Sequence, residues 1–196
     1  MTKKQLDMIK ELRSNVHAVA GGSVADVVME GDAALDSGTD SAKLAEWVRG
    51  AIGRLDKEVP EKQRTAIMEA CGRNCAKVNH RVVETFRKRR AKYDSLDDFL
   101  DAESRSPMNG TKLWRDGGAM MQAYVPRKFS HPMRCYCALV NKLPEGTTMS
   151  PTYCQCSRAF VQQMWEEALG QPVAVVLLRS ALSGADECQF CISTRA

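Results

Sequence analysis

The stretch that decides the fold is the apolar run VAVVLL at residues 173–178, which follows Pro172. Six consecutive apolar residues predict a strand that is buried on both faces. The residues SGAD at 183–186 then predict a turn, and the run CQFCI at 188–192 predicts a returning strand. The C-terminal end of the chain is therefore expected to form a β-hairpin.

Upstream of this hairpin, the pattern indicates one helix and two further strands. Apolar residues at helical spacing from Ser157 to Leu169 predict a helix that ends at Gly170. Residues 119–125 and 133–140 are short apolar runs separated by prolines, which is typical of strands. We expect an antiparallel sheet that packs against one long helix.

The N-terminal half of the chain has apolar residues at every third or fourth position, which predicts helices with one buried face. Helices are expected over residues 3–19, 44–55 and 60–86, with a short one after Ser95. Residues 104–110 contain proline and an Asn-Gly pair, which favours a domain boundary. The predicted fold class is α+β: a helical region, residues 1–105, is packed on an antiparallel α/β domain of ligand-binding type, residues 106–196.

Composition excludes some classes of function. The chain has 196 residues and a formal net charge of +4, too slight to indicate nucleic-acid binding unless the charge is clustered. The dense basic cluster at residues 87–92 lies in the predicted last turn of a helix, so a solvated helix end is favoured over a nucleic-acid site. No apolar run approaches the roughly 20 residues of a membrane span, and no secretory signal begins the chain. We therefore expect a cytoplasmic protein with no membrane partner.

Eight cysteines are the sharpest chemical feature of the sequence. In a reducing compartment they are expected to be thiols, metal ligands or redox groups. Four of them form two Cys-x-Cys pairs, and on a strand both thiols of such a pair face the same side. Two more lie four residues apart on a predicted helix and share its buried face. The four paired residues are Cys135, Cys137, Cys154 and Cys156, and the helical ones are Cys71 and Cys75.

The C-terminal half also carries a recognisable order of motifs: CSRAF at 156–160, Leu169-Gly170, Pro172-Val173 and GADECQFCI at 184–192. It resembles the vinyl-reductase-like hydrocarbon-binding domains, which share the ligand-binding fold of NO-sensing and Golgi-transport proteins, and small uncharacterised cysteine-rich bacterial proteins. The closing motif is similar to that of the L-2-amino-thiazoline-4-carboxylate hydrolase family. The resemblance covers about residues 115–193.

The resemblance implies a zinc site. In aromatic-sensing members, cysteines before the helix, at the end of the following strand and in the hairpin hold zinc together with an acidic residue. Cys154 matches the first position and Cys188 the last. The strand-end position falls near Ser180, so zinc could only be bound with help from Cys137, Cys156 or the helical pair.

Seven thiols are thus candidates for one centre: Cys137, Cys154, Cys156, Cys188, Cys135, Cys71 and Cys75. Cys191 is expected to face away from Cys188. Seven exceed the needs of one structural zinc and suit zinc or another thiophilic metal, a metal cluster or a reversible dithiol. The plain alternative is that most of them are core residues.

Two functions follow as hypotheses. The first is a small-molecule-binding or sensing protein, with a cysteine-based metal or dithiol centre beside a pocket for a partly apolar ligand. The alternative is a hydrolase of a cyclic or amide-like C–N bond, for which Glu166 or Glu167 is available as an acid. His131 is the histidine nearest the thiols in sequence. Ser157 is interpreted either as a helix cap or as a reactive hydroxyl.

Overall fold

The computed structural model describes residues 1–108, 110–124 and 135–194. Its fold is α+β, which confirms the predicted class. The helices of the described residues are α1 Lys3–Ala20, α2 Gly22–Val28, α3 Ser41–Glu58, α4 Glu61–Val78, α5 His80–Arg90, α6 Leu96–Arg105 and α7 Pro151–Leu169. The strands are β1 Thr111–Asp116, β2 Ala119–Tyr124, β3 Val173–Arg179 and β4 Cys188–Thr194.

The four strands form one antiparallel sheet in the order β1-β2-β4-β3. Cys188 of β4 is opposite Tyr124 of β2, and Phe190 is opposite Gln122. These four side chains share one face of the sheet, because side chains alternate along a strand. That face packs against α7, where the indole N–H of Trp165 donates to Gln122 Oε1 at 2.8 Å. The sheet therefore presents Tyr124 and Cys188 toward the helical layer.

Two hydrophobic clusters form the core, and α7 contributes to both. The first joins buried residues of α1 to α4 to Tyr153 and Cys154 at the start of α7. The second joins α5, α6 and the sheet to Met164 and Trp165 further along α7. The predicted boundary at residue 105 falls between α6 and β1, and residues from both sides of it meet in each cluster. The helical and α/β regions thus share their cores.

Several helix and strand ends lie where the sequence predicts them. Thr2 caps α1, and Ser95 caps α6 by accepting a hydrogen bond from the backbone of Asp98. Gly170 ends α7 with a φ of 66°, a left-handed conformation that favours glycine. β3 and β4 form the predicted terminal hairpin. None of the helices in the described ranges is long and apolar enough to cross a membrane.

The long helix predicted over residues 60–86 is in fact two helices, α4 and α5, which are separated at Asn79. The backbone N–H and the side-chain amide of Asn79 both donate to the carbonyl of Cys75, which ends α4. The predicted apolar stripe is broken at this point: Val78 is 57% exposed and Val82 is 41% exposed. The helical period alone did not reveal the break, because the apolar spacing continues across it.

The prediction that α7 begins at Ser157 was wrong, since the helix begins at Pro151. Ser150 accepts a hydrogen bond from the backbone of Thr152, and proline is favoured at the first helical position. The second Cys-x-Cys pair, Cys154 and Cys156, therefore lies within the helix rather than on a strand or loop. Residues two apart on a helix are separated by about 200°, so the two thiols point in different directions.

The first Cys-x-Cys pair is not on a strand either. Residues 135–140 form turns, with the backbone N–H groups of Val140 and Asn141 both donating to the carbonyl of Cys137. Residues 133 and 134 of the predicted strand lie outside the described residues. The prediction that both thiols share a strand face was therefore wrong for residues 135–137.

The sheet differs from the prediction at both of its edges. β3 is an edge strand rather than a strand buried on both faces, and Val176 and Leu178 are 55% and 49% exposed. β1, at the other edge, was not predicted. Its sequence TKLWRD is largely polar, and Leu113 is its one fully apolar buried residue. One face of β3 is partly open to solvent, so its continuous apolarity did not indicate burial on both faces, and the polar sequence of β1 gave no strand signal.

Candidate thiol centre

The structure brings the seven predicted cysteines to one region between α4, α7 and the sheet. Each of the seven thiols lies near at least one other, as their effects on one another's pKa indicate. All are free thiols: Cys71 and Cys75 on α4, Cys135 and Cys137 in the loop before α7, Cys154 and Cys156 on α7, and Cys188 on β4. We call these seven residues the thiol centre. Cys191 lies three residues beyond Cys188 on β4 and so on the opposite face of the sheet.

The two helices of the centre are in backbone contact at Gly72 of α4 and Cys156 of α7. A Cβ atom on Gly72 would lie 2.2 Å from the carbonyl oxygen of Cys156 and 2.7 Å from the Cβ of Ala159, so no larger residue fits. Cys71 precedes this glycine and Cys75 follows it by three residues. Cys71 and Cys75 both raise the pKa of the Cys156 thiol, so the three residues are neighbours at this contact.

Polar side chains hold the two thiols of α4. The side-chain amide of Asn15 donates to Cys71 Sγ at 3.2 Å, and that of Asn79 donates to Cys75 Sγ at 3.3 Å. The carbonyl oxygen of the Asn79 side chain in turn accepts a hydrogen bond from Lys4 Nζ at 2.8 Å. Asn15 and Asn79 were missed by the sequence reasoning, because nothing in their local sequence marks them as partners of a thiol.

Cys154 and Cys188 meet at Ser180, at the end of β3. Cys154 Sγ lies 2.8 Å from Ser180 Oγ, and the backbone N–H of Ala181 donates to Cys188 Sγ at 3.4 Å. Ser180 is buried, at 5% exposure. These are the three positions that the resemblance matched to zinc ligands, and the structure brings them together. The middle position is a serine, so this group has only two thiols.

Tyrosines complete the surroundings of the centre. Tyr153 Oη lies 3.0 Å from Cys137 Sγ, and its side chain is buried. The ring of Tyr124 packs edge-on against Phe190, at a centroid distance of 5.2 Å, and against Tyr136 at 5.9 Å. The sequence reasoning did not select these tyrosines. Two of them could have been recognised from the sequence, because Tyr136 and Tyr153 are direct neighbours of cysteines in the chain.

Burial controls the protonation of the thiols. It raises the pKa of Cys71 to about 11 and that of Cys154 to about 12, from an ordinary value of 9.0. Burial also raises the pKa of the other five thiols of the centre, most strongly for Cys135 and Cys156. Lys4 opposes this rise at Cys75 and Cys137. The thiols are therefore protonated and uncharged near neutral pH.

The structure does not display a preformed metal site. In residues 1–108, 110–124 and 135–194, no three Cys, His, Asp or Glu side chains are arranged to hold a metal ion. The expected acidic partners have other roles: Glu166 accepts hydrogen bonds from Gln162 and from the backbone of Val173, and Glu167 accepts one from Gln163. His131 lies outside the described residues. Ser157 is inside α7 and is not its cap.

The basic cluster at residues 87–92 has structural contacts. Arg89 donates to Glu103 at 2.5 Å, and Glu103 is 1% exposed. Arg90 donates to the carbonyl of Tyr93 at 2.5 Å. These bonds fix the end of α5 against the following turn and α6, which agrees with the preferred interpretation of the cluster as a helix end.

Two surface clefts lie away from the thiol centre. One is on α4 and is lined in part by Thr65 and Glu69, and the other lies between α5 and α6 near Arg89 and Glu103. Neither cleft is lined by a cysteine. The pocket for a partly apolar ligand beside the thiols stays a prediction.

Comparison with known proteins gives a family without an assigned activity. A family model described as "Family of unknown function (DUF6144)" matches residues 3–196. No curated protein matches the chain. The resemblance to hydrocarbon-binding domains and to the thiazoline-carboxylate hydrolases gains no support from these comparisons.

Among solved structures, the chain is similar to an H-NOX protein from S. oneidensis in the Fe(II)NO ligation state. The identity is 15%, 96% of this chain and 98% of that chain are covered, and the TM-score is 0.49. It is also similar to an NMR structure of a mutant H-NOX domain from Shewanella oneidensis in the Fe(II)CO ligation state. Here the identity is 15%, the coverage is 96% and 97%, and the TM-score is 0.45. A likeness this slight assigns no ligand to the present chain.

Proposed function

The chain belongs to DUF6144, a family of unknown function, and we propose that it is a small-molecule-binding or sensing protein whose thiol centre takes up a thiophilic ligand. The observation that carries the proposal is the proximity of seven thiols, from α4, α7, β4 and one loop, in which each thiol acts on the pKa of another or is acted on by it. Cys71, Cys75, Cys137 and Cys154 also each have a polar side-chain partner, in Asn15, Asn79, Tyr153 and Ser180 respectively. Cysteines that only fill a core need no such partners.

The charge of the centre favours a ligand that adds little net charge. Four thiolates around Zn²⁺ carry a net charge of −2, and a charge in an apolar region is costly unless it is compensated. Lys4 is the cation that lowers the pKa of thiols in the centre, and it acts on Cys75 and Cys137. The zinc site that the resemblance implies, three cysteines and an acidic residue, carries the same net charge of −2 and is therefore less suited to this centre than a ligand held by fewer thiolates or in a neutral complex.

The hydrolase alternative receives no support from the same geometry. A cysteine nucleophile acts as the thiolate and requires a lowered pKa or an adjacent base. Burial raises the pKa of every thiol in the centre, and their hydrogen-bond partners are Asn, Ser, Tyr and backbone groups. His17 and His80, the histidines within the described ranges, are exposed. We therefore place binding ahead of hydrolysis.

Equilibrium dialysis of the reduced protein tests this function. The probes are Cu⁺, Cd²⁺ and arsenite, each added separately under anaerobic conditions and measured by elemental analysis. Cys156→Ser removes a thiol of the centre, and Cys191→Ser is the matched control on the other face of the sheet. We expect at least one probe to bind stoichiometrically to the wild type and to Cys191→Ser but more weakly to Cys156→Ser. Folded protein that retains none of the three probes would contradict the proposal.

A further inference from the structure

A row of four apolar side chains crosses the face of the sheet that is turned away from α7. Trp114 of β1 is opposite Met121 of β2. Met121 is opposite Cys191 of β4, which is in turn opposite Val176 of β3. Opposed residues of neighbouring strands point to the same face of a sheet. These four residues are therefore in register across all four strands, and we call them the outer row.

The outer row lies outside the hydrophobic core. Neither core cluster of the described residues includes any of its side chains, whereas the sheet residues of the second cluster are those that point toward α7. Met121 is buried, Trp114 and Cys191 are partly exposed, and Val176 is 55% exposed. Contiguous apolar surface that the core does not use marks a contact with another molecule. The face of the outer row thus has the character of a protein–protein contact.

The free edge of β3 is less open to another chain than this face. Unpaired backbone groups at a sheet edge can pair with a further strand. Those of Val173 are engaged by α7 instead, because its N–H donates to Glu166 Oε1 at 3.4 Å and its carbonyl accepts from Gln162 at 3.3 Å. The carbonyl of Val175 accepts from Arg158 at 3.2 Å. Side chains of α7 therefore occupy part of the edge, and we expect a second chain to dock on the face.

Two opposite charges flank the outer row on β1. Lys112 and Asp116 lie two residues to either side of Trp114, on the same face, and both are exposed. Asp116 makes no ion pair with another described residue, and Lys112 lies 4.0 Å from Glu187. A two-fold axis along the outer row places Lys112 of each copy against Asp116 of the other. The face is therefore complementary in charge to a second copy of itself.

We propose that the face of the outer row is the contact surface of a homodimer, in which a second copy of this chain packs about a two-fold axis along the row. Each residue of the outer row then meets its own counterpart. The side chains that flank the row on the other strands are uncharged: Ala119 and Ala123 on β2, Gln189 and Ser193 on β4 and Ala174 on β3. Arg179 follows the register shift in β3 and lies at the rim of the face.

The size of the face sets the strength of the contact. Packed sheets lie about 10 Å apart, and four strands about 4.8 Å apart give a face roughly 15–20 Å wide. Such a face is at the small end of specific protein–protein interfaces. We therefore expect a dimer that dissociates on dilution. The contact uses none of the seven thiols of the thiol centre, so it stands independently of the proposed function.

Sedimentation velocity of the full-length reduced protein, over a wide range of concentration, measures the dimer. The wild type is expected to pass from monomer to dimer as the concentration rises. Val176→Lys places two like charges against each other at the axis and is expected to weaken the dimer by at least about 10-fold. Val78→Lys is the matched control, because Val78 is also an exposed valine but lies at the end of α4. Circular dichroism of each variant verifies that the fold is retained.

An exchange of charges tests the two-fold arrangement. Lys112→Asp and Asp116→Lys each bring like charges together across the contact, and each is expected to weaken the dimer by about 10-fold. The double variant restores opposite charges at both contacts and is expected to dimerise as the wild type does. Both positions are exposed, so these variants test the contact even if Val176→Lys fails to fold.

Cross-linking at Cys191 gives a second measure of the same arrangement. The Cys191 side chains of the two copies face each other across the axis, at a sheet separation of about 10 Å that a short bismaleimide spans. We expect a cross-linked dimer in the wild type and in Cys156→Ser, and its loss in Cys191→Ser.

The outcomes are distinct from those of the thiol-binding experiment. A wild type that stays monomeric at every concentration overturns the inference, and so does a dimer that folded Val176→Lys leaves unchanged. A dimer without the Cys191 cross-link, or without recovery in the double charge variant, overturns the two-fold arrangement. Each of these failures leaves the binding of Cu⁺, Cd²⁺ or arsenite to the thiol centre as a separate result.

Discussion

The sulfur of Cys154 lies 2.8 Å from the hydroxyl oxygen of Ser180, in the buried layer between α7 and the end of β3. Cys188 is the third member of this group, since Ser180 also acts on the pKa of Cys188 against the larger effect of burial. A serine thus occupies the position where a third thiol would complete a three-cysteine set. The group therefore offers two thiols and one hydroxyl.

Ser180→Cys is therefore expected to create a metal site. Sulfur replaces oxygen beside Cys154 and Cys188, and three thiolates are a suitable ligand set for Zn²⁺ or Cd²⁺. We predict that Cd²⁺ binds at least about 10-fold more tightly than to the wild type. The Cd–thiolate absorption band in a titration measures the affinity. Ser183→Cys, at an exposed position three residues on, is the matched control. Equal gains in both variants would contradict the prediction.

Gly72→Ala is expected to destabilise the fold by about 2 kcal/mol or more, because its Cβ would lie 2.2 Å from the backbone of Cys156. The helices must separate to admit the methyl group. Urea unfolding measures the change in the free energy of unfolding. The control is Gly53→Ala on α3, where nothing lies within 4 Å of the new Cβ and helix propensity predicts a gain of about 0.5–1 kcal/mol. A neutral Gly72→Ala would disprove the tight crossing.

The free energy of unfolding is expected to fall as the pH rises above about 9. The folded-state pKa of the buried thiols is raised, to about 11 for Cys71 and about 12 for Cys154, so the unfolded chain loses these protons first. The contribution of these protonated thiols to the free energy of unfolding is therefore fully present below the ordinary thiol pKa. It is lost as the pH rises toward the folded-state pKa values. Each such thiol contributes a slope of up to about 1.4 kcal/mol per pH unit.

Urea unfolding in the presence of a reductant, at pH values from about 8 to about 10.5, measures this slope. Cys71→Ser removes one titrating thiol and is expected to show a shallower decline than the wild type. Cys191→Ser, on the opposite face of the sheet, serves as the control for loss of a cysteine outside the centre. A free energy of unfolding that is constant or rises over this range would rule out the buried neutral thiols.

The ion pair between Arg89 and Glu103 is expected to contribute to stability rather than to nucleic-acid binding. Glu103→Ala removes a buried carboxylate and leaves the guanidinium without its partner, at a cost of about 3 kcal/mol. Glu84→Ala, which breaks the exposed pair with Lys88, is expected to have little effect on the free energy of unfolding. Thermal or urea unfolding compares the two variants. Similar costs would show that the Arg89 pair is not a structural contact.

The fold class could be predicted from the sequence because it depends on local pattern. Apolar spacing indicated α1, α3, α6 and β4, and the continuous run at 173–178 indicated β3. The spacing could not show that β3 lies at an edge, because strand order depends on pairing between distant segments. It also could not show the break at Asn79, because that break depends on hydrogen bonds and leaves the apolar period unchanged.

The seven thiols were selected from cysteine spacing, and part of the reasoning that selected them was wrong. The sequence placed Cys154 and Cys156 on a strand or loop, and the structure has them on a helix because Ser150 and Pro151 start α7 earlier. Gly72 was overlooked, because a glycine within a helix gives no local sign of the partner that it approaches. Contact between helices distant in sequence, rather than the spacing within either one, makes Cys71 and Cys75 neighbours of Cys156.

The most direct test of the thiol centre is X-ray absorption on the reduced protein loaded with one equivalent of Cu⁺, Cd²⁺ or arsenite, whichever binds most tightly, at the absorption edge of that element. Sulfur neighbours around the bound probe are the result we predict for the wild type. Cys191→Ser should give the same spectrum, and Cys156→Ser should lose sulfur neighbours. Failure of the folded wild type to retain any of the three probes, or a bound probe with only oxygen or nitrogen neighbours, would contradict the account.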